Sequence, residues 1–225
     1  MKAVAILIAL AGVAHADLRD TQAGVQLHYE LAGEHAVEHS VMEPPSELVL
    51  AGVRLHGFVG GRTLAAHLGL DLAAGGTARG GGFAYDVALF PIGGALRFAR
   101  SSFVTIGVGI GANGATRTLD DAVTFPLELR FELGSGVRVL GRARATWLGA
   151  AKARQDGAAS THIADELEAM LGVRLGHAYD DEGFPTGNGY FLGATYRELM
   201  GARFAGIVIG YSVDMATSRA PRRPE

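Results

Sequence analysis

The chain has 225 residues, a formal net charge of −3 at pH 7, no cysteine and a mean hydropathy of +0.21. The lack of cysteine excludes a disulfide scaffold and a cysteine-linked lipid anchor, and so mild a charge does not predict a nucleic-acid partner. The length suits one domain.

The N-terminus has the pattern of a secretory signal peptide, which we assign to residues 1–16. Lys2 is a short basic region, residues 3–13 are apolar, and Ala14-His15-Ala16 is a small-x-small cleavage site. The apolar run is too short to span a membrane, and no longer one follows. We therefore expect an exported protein whose mature chain begins near Asp17 and has no transmembrane helix.

About ten segments of alternating apolar and polar residues lie between Gly24 and Ala216. In the clearest, residues 123–133, apolar side chains at the odd positions alternate with mostly polar ones at the even positions. A period of two places successive side chains on opposite faces of a β-strand. We predict an all-β fold, an antiparallel up-and-down transmembrane β-barrel of 8–10 strands over residues 17–216, and a disordered polar tail at 217–225.

The first tight hairpin joins segments 49–59 and 64–72 through Gly60-Gly61. A two-residue turn of this kind needs the positive φ that glycine allows. Closure at these two residues pairs Arg54 with His67, and we expect this pair on the polar face inside the barrel.

The next segments carry many small residues. Residues 75–82 are predicted to be a glycine-rich loop, and residues 92–102, after Pro91, to be irregular. Residues 104–110 then alternate between large aliphatic side chains and a nearly bare face of Thr105, Gly107 and Gly109. Small residues inside and large ones outside are typical of a narrow barrel in lipid.

The central hairpin is predicted to turn at residues 134–136. Paired positions then place Glu132 opposite Arg138 and Glu128 opposite Arg142, a favourable cross-strand arrangement. A later segment, 166–175, carries further charges on its polar face. The predicted lumen charge network contains Glu128, Arg130, Glu132, Arg138, Arg142, Arg144, Glu166, Glu168 and Arg174.

Alternation by itself fits two designs, because a soluble barrel with apolar contents alternates as a membrane barrel does. Lysine is nearly absent from the mature chain, whereas soluble β-proteins commonly solvate their outer faces with lysine. The segments are also near the 9–11 residues of a tilted membrane strand. Both features favour the membrane design.

The last segment, 202–215, resembles the C-terminal assembly signal of bacterial outer-membrane β-barrel proteins. The match consists of Gly210, Val213 and Met215, while Val208 stands where a polar residue is usual and a polar tail follows. The resemblance implies the outer membrane of a diderm bacterium, contact with its lipid, and insertion by the barrel-assembly machinery through this strand.

The connections between segments alternate in length for most of the chain. Those at 34–47, 75–82, 112–121 and 150–163 are long and predicted to be outer loops that can meet an extracellular ligand, whereas the turns near Gly60 and Ser135 are short. The alternation breaks at 179–189, which is long, and at 200–201, which is short.

Signals for chemistry are weak. Asp180, Asp181 and Glu182 offer oxygen ligands for calcium without the spacing of an EF-hand, and Glu34, His35, Glu38 and His39 suit a metal only if helical. Ser212 has no histidine at a recognisable spacing. We expect no cofactor and no enzymatic activity, with a serine lipid hydrolase as the minor alternative.

Three functions remain open at this stage. The first is a structural or surface-interaction barrel whose lumen is plugged by Glu–Arg pairs. The second is a narrow pore for small solutes, lined by the same charges. The third is a soluble periplasmic barrel that binds an apolar ligand inside.

Overall fold

The computed structural model describes residues 22–39, 46–61, 63–78, 82–99, 102–115, 119–134, 136–152, 159–160, 166–176, 187–199 and 202–218. All regular structure in these ranges is β-strand. The strands are β1 (Gln22–His39), β2 (Glu47–Gly60), β3 (Leu64–Ala78), β4 (Gly82–Ala99), β5 (Ser102–Ala115), β6 (Leu119–Gly134), β7 (Val137–Lys152), β8 (Ala159–Ser160), β9 (Glu166–Gly176), β10 (Gly187–Leu199) and β11 (Ala202–Ser218).

Ten of these strands form a closed barrel. Each pairs antiparallel with its neighbours along the chain, β1 pairs with β11, and the β6–β7 pairing completes the circle. The two-residue β8 pairs with the end of β7 alone, so β7 and β9 are neighbours in the wall. The predicted all-β up-and-down barrel is confirmed, with ten strands.

The antiparallel order defines two ends of the barrel. The turn end holds the start of β1, the end of β11 and the β2–β3, β4–β5, β6–β7 and β9–β10 connections, and the loop end holds the others. The ten barrel strands span 11 to 18 residues, and all but β9 are longer than the 9–11 expected from the sequence. They continue into the segments predicted to be outer loops, because strand pairing persists there.

The prediction of an irregular segment at 92–102 is wrong for most of its length, because β4 runs to Ala99. Pro91 is instead accommodated at a bulge: Leu89 pairs with Ile110 whereas Ile92 pairs with Val108. Phe90 is fully buried while Pro91 and Ile92 are both exposed. A bulge permits this, since it adds one residue to the strand and spares proline a ladder hydrogen bond.

Burial alternates with a period of two and settles which face is inside. On β6, Glu128 is 1% exposed and its neighbour Leu129 is 44% exposed. The same order holds around the barrel, so the polar faces line the lumen and the aliphatic faces point outward. A soluble barrel with an apolar ligand inside requires the opposite arrangement.

Candidate functional site

The lumen is lined by charged side chains in an interlocking network. Side chains less than 10% exposed include nine carboxylates: Glu30, Glu34, Asp71, Asp86, Glu128, Glu132, Glu166, Glu168 and Asp214. Seven arginines of the same burial lie among them: Arg54, Arg130, Arg138, Arg142, Arg144, Arg174 and Arg197. They come from nine of the ten barrel strands, every one except β5.

Near the turn end, four charges from four strands form a balanced group, the lower cluster. Glu132 Oε1 lies 2.7 Å from Arg138 Nη1 and 3.2 Å from Arg174 Nη1, and Arg174 Nη2 also donates to Asp214 Oδ2. Gln26 Nε2 donates to Glu132 Oε2 at 3.2 Å. Two arginines and two carboxylates therefore neutralise one another in a region closed to water.

Towards the loop end, Glu168 on β9 is the centre of the upper cluster. Its Oε2 lies 2.8 Å from Arg144 Nη2 and 3.3 Å from Arg197 Nη2. Its Oε1 accepts from Arg54 Nη2 at 3.1 Å and from Arg142 Nε at 3.1 Å. One carboxylate thus joins arginines from β2, β7 and β10.

Four further carboxylates complete the upper cluster and bring in the remaining strands. Glu30 Oε1 lies 2.8 Å from Arg54 Nη2, and Asp71 pairs with the same guanidinium. Asp86 pairs with Arg144, while Glu34 Oε2 lies 3.4 Å from Arg197 Nε. These contacts connect strands β1 to β4 with β7 and β10 across the lumen, which neighbouring-strand pairing cannot do.

Two buried apolar clusters accompany the charges. Leu48, Leu50, Ala84 and Phe204 pack together at the loop end, with Leu48 and Phe204 fully buried. The second cluster lies along one side of the wall and contains Ala32, Leu140, Met170, Phe191 and Val208. Side chains therefore fill the lumen both at the loop-end mouth and beside the ion pairs.

Buried histidines form a separate chain of contacts on β2 and β3. His56 and His67 are stacked at 5.1 Å between ring centroids, and His56 Nδ1 lies 2.9 Å from His67 Nε2. His56 Nε2 lies 3.4 Å from Asp71 Oδ1. One arrangement satisfies all three when both rings are neutral: His67 Nε2–H donates to His56 Nδ1, and His56 Nε2–H points at Asp71.

The predicted pairing of Arg54 with His67 is wrong. β2 and β3 pair Gly60 with Ala65, so the connection is four residues long and Arg54 lies opposite Asp71. His67 lies opposite Phe58 and stacks on His56. The shift is an even number of residues, which changes every partner yet leaves each side chain on its predicted face.

The central hairpin shows the same kind of shift. Gly134 pairs with Arg138, so Glu128 lies opposite Arg144 where Arg142 was predicted, and Arg142 lies opposite Arg130. Glu132 lies opposite Leu140 and reaches Arg138 diagonally. The predicted Glu132–Arg138 contact therefore exists in a different register, and the predicted Glu128–Arg142 pairing is wrong.

All nine residues of the predicted charge network are buried in the lumen, but they do not form one unit. Glu132, Arg138 and Arg174 meet in the lower cluster, and Arg142, Arg144 and Glu168 meet in the upper one. Glu166 accepts from Asn113 Nδ2 at 2.6 Å. Glu128 and Arg130 stand apart from both clusters.

The sequence prediction omitted about half of the network. The missing members are Glu30, Glu34, Asp71, Asp86, Arg197 and Asp214, together with the polar Gln26, His28 and His56. Each of them occupies a position on the polar face of an alternating segment. Their place in the alternation was therefore the sequence feature that could have identified them as lumen residues. Asp71 was the clearest case, since only an incorrect register separated it from Arg54.

The sequence signals for metal binding and catalysis gain no support. Residues 34–39 lie in β1, so the helix that a Glu34–His39 metal site required is not formed, and Asp180, Asp181 and Glu182 lie outside the described residues. Among the residues that the structure describes, no group of three or more His, Asp or Glu side chains is arranged to hold a metal ion.

Ser212 does have a histidine beside it, which its sequence position did not reveal. It lies opposite His28 in the β1–β11 pairing, with 0% and 6% of the two residues exposed.

In the described ranges, no helix is long and apolar enough to cross a membrane.

Comparison with known proteins adds a distant likeness. No protein-family model and no curated protein matches the chain. Among solved structures, the chain is similar to the translocator domain of autotransporter NalP from Neisseria meningitidis, with a TM-score of 0.42, 11% identity and 94% of each chain covered. We transfer no activity and no residue role from a likeness of this degree.

Proposed function

We propose that the protein is an outer-membrane β-barrel with a sealed lumen and a structural or surface-interaction role. The observation that carries this proposal is the opposite chemistry of the two faces of one closed wall. The outer face is aliphatic and aromatic, and the inner face is charged and internally paired.

The outer face has the character of a surface that meets lipid. More than thirty large apolar side chains are exposed on the wall, including Leu129 at 44%, Ile207 at 61% and Tyr190 at 72%. Among the outward side chains that the structure describes, Glu47, Glu198 and Arg203 carry the formal charges, and all three lie at the loop-end rim. An apolar belt with polar residues at its edge is the pattern of membrane barrels, and water would penalise so large a patch.

The lumen supports a plug better than a water path. Both clusters join strands that are far apart in the sequence, as in the contact of Arg54 with Glu168, 114 residues apart. Leu48, Leu50 and Phe204 close the loop-end mouth above the ion pairs. Paired buried charges are rigid, because breaking one pair leaves an uncompensated charge.

The proposal carries three further expectations. Residues 1–16 are removed on export, the barrel-assembly machinery inserts the protein through β11, and lipid of the outer membrane of a diderm bacterium surrounds the wall. Extracellular ligands, if the barrel binds them, are met by the connections at the loop end. We propose neither a catalytic function nor a cofactor.

Fractionation tests the location. We expect the mature protein in the outer-membrane fraction, with a gel mobility that changes on boiling because the closed barrel resists detergent until heated. N-terminal sequencing of the same band should begin near Asp17. Release by osmotic shock without detergent would contradict the proposal and favour a soluble periplasmic barrel.

Conductance in a planar bilayer separates a sealed barrel from a narrow pore. We expect the wild-type protein to give no steady unitary current. Glu168→Ala removes the centre of the upper cluster, and we expect channel events in that variant if it folds. Steady unitary steps in the wild type that change when Glu168 or Arg142 is replaced would favour the pore.

A further inference from the structure

Among the described residues, Glu128 and Glu34 are the two lumen carboxyl groups whose oxygens accept no hydrogen bond. Glu34 keeps an arginine nitrogen, Arg197 Nε, at 3.4 Å, and the ion pair of Glu128 is longer. Glu128 is 1% exposed, and neither of its oxygens accepts a hydrogen bond from the protein. Arg130 Nε lies 3.9 Å from Glu128 Oε1, which is beyond hydrogen-bond length. By contrast, Glu132 on the same strand and face is bonded by two arginines and a glutamine.

The strands on either side of Glu128 do not supply a donor. On β5 it lies opposite Gly107, and the neighbouring inward residues of β5, Thr105 and Gly109, do not titrate. On β7 it lies opposite Arg144, whose Nη2 is committed to Asp86 and Glu168. The wall around Glu128 is therefore bare on the β5 side. On the β7 side Arg144 directs its Nη2 to other carboxylates, and its Nε has no hydrogen-bond partner.

The hydrogen bonds of the other arginines near Glu128 go to other groups, and Arg130 Nη1 makes none. Arg130 Nη2 contacts Gln26 Oε1 and His28 Nε2, each at 3.2 Å. Arg142 is bonded to Glu30 and Glu168.

Across the lumen, Arg54 is held by three other carboxylates, one of which is Asp71. Asp71 also faces His56.

The charge count of the lumen leads to the same conclusion. Among the described residues, the lumen holds nine buried carboxylates against seven buried arginines. A buried carboxylate without a partner is so costly that such groups are commonly neutralised instead. Neutralising Glu128 breaks no hydrogen bond, and it gives up a longer ion pair (3.9 Å to Arg130) than neutralising Glu34 would (3.4 Å to Arg197).

We propose that Glu128 is a proton-binding site: the folded barrel holds this carboxyl as a neutral acid, and loss of the proton loosens the wall at β6. Folding takes one proton from solvent onto a Glu128 oxygen, and ionisation returns it, with no other bond made or broken. The site goes beyond the proposed sealed barrel, because it makes the strength of the seal depend on pH.

Unfolding across a range of pH tests the proposal. If the native state holds a proton that the unfolded chain releases, stability falls as pH rises, by up to about tenfold in the folding equilibrium constant per pH unit. The buried His56 and His67, if neutral in the barrel, give the opposite slope, since the unfolded chain then binds more protons as pH falls. The two contributions add in the wild-type protein, so the difference in slope between wild type and a Glu128 variant isolates the part that belongs to Glu128.

Glu128→Gln and Glu132→Gln form a matched pair for this measurement. Glutamine has the shape of a protonated glutamate, so we expect Glu128→Gln to remain as stable as wild type at acidic pH and to lose the part of the slope by which stability falls as pH rises. Glu132→Gln removes a charge that two arginines need, so we expect lower stability at every pH with the slope retained. An unchanged slope in Glu128→Gln overturns the proposal, as does equal damage by the two changes at acidic pH.

A measurement on the wild-type barrel covers the case in which Glu128→Gln fails to fold. We expect an infrared carbonyl band of a protonated carboxylic acid at neutral pH, lost when the pH is raised. Absence of that band at neutral pH overturns the proposal. Neither experiment depends on where the barrel resides in the cell, so a soluble barrel would contradict the proposed function and leave the proton site testable.

Discussion

Two adjoining parts of the barrel wall line the same lumen with opposite kinds of residue. The inward face of β4 and β5 is mostly alanine and glycine, whereas the inward face of β6, β7 and β9 carries four arginines in addition to Arg130. Phe90 and His67 occupy the space next to Gly107, and Arg144 reaches Asp86 on β4. Within the described residues, the wall fills its own lumen: long side chains from one part occupy the room left by short ones in another.

We expect the largest loss of stability from replacing Glu168, the residue with the most ion pairs in the charged part of the wall. Glu168→Ala removes the carboxylate that Arg54, Arg142, Arg144 and Arg197 all contact. Removing one partner of a buried ion pair costs about 3–5 kcal/mol. We expect a loss of at least this size in urea unfolding monitored by Trp147 fluorescence; stability close to wild type would show that the cluster does not hold the wall together.

The outer face provides the next test, because it should tolerate no charge if it lies in lipid. Leu129→Arg adds a cation halfway along β6, beside the inward Glu128. Membrane barrels lose about 2–4 kcal/mol from arginine near the bilayer midplane. We expect this loss in unfolding from lipid vesicles, whereas an effect near zero would contradict a lipid-facing wall.

In the alanine- and glycine-rich part of the wall, β4 and β5, we expect substitutions to reduce stability by steric overlap and not by loss of ion pairs. A Cβ at Gly109 would lie 2.6 Å from Leu89 O and 2.9 Å from Phe90 Cδ1. Overpacking of this kind costs about 1–3 kcal/mol. We expect Gly109→Ala to be destabilised by that amount in urea unfolding, while Gly33→Ala, with nothing within 4 Å of its Cβ, should stay close to wild type.

The smallest effect is expected at the rim, outside the lumen. Arg203 Nε lies 3.1 Å from Glu198 Oε1, with the arginine side chain 48% exposed. Exposed pairs contribute about 0–1 kcal/mol because water and salt screen them. The loss of unfolding free energy in Arg203→Ala should therefore fall within that range in the same assay. A loss as large as that of Glu168→Ala would show that ion pairs at the rim stabilise the barrel as much as those in the lumen.

The strands and their faces could be predicted from the sequence because both follow from local alternation. Residues 123–133 predicted one apolar and one polar face, and the structure separates Glu128 from Leu129 in that way. The segment after Pro91 was mispredicted because a bulge, formed with β3 and β5, keeps β4 continuous. Bulges depend on the partner strands, which a local pattern does not contain.

Register and long-range pairing were decided by the tertiary structure. Both hairpin registers were wrong by an even number of residues, so Arg54 remained on the inner face but met Asp71 in place of His67. Alternation is unchanged by such a shift, whereas the choice of partner depends on turn geometry and on the closed wall.

The sequence by itself determined the alternating strands and the residues that share a face. Closure of the barrel decided which face is inside, and it brought residues as distant as Arg54 and Glu168 into one cluster. The physical reason is that side-chain direction along a strand is a local property with a period of two, while contacts across a lumen exist only once the first and last strands have paired.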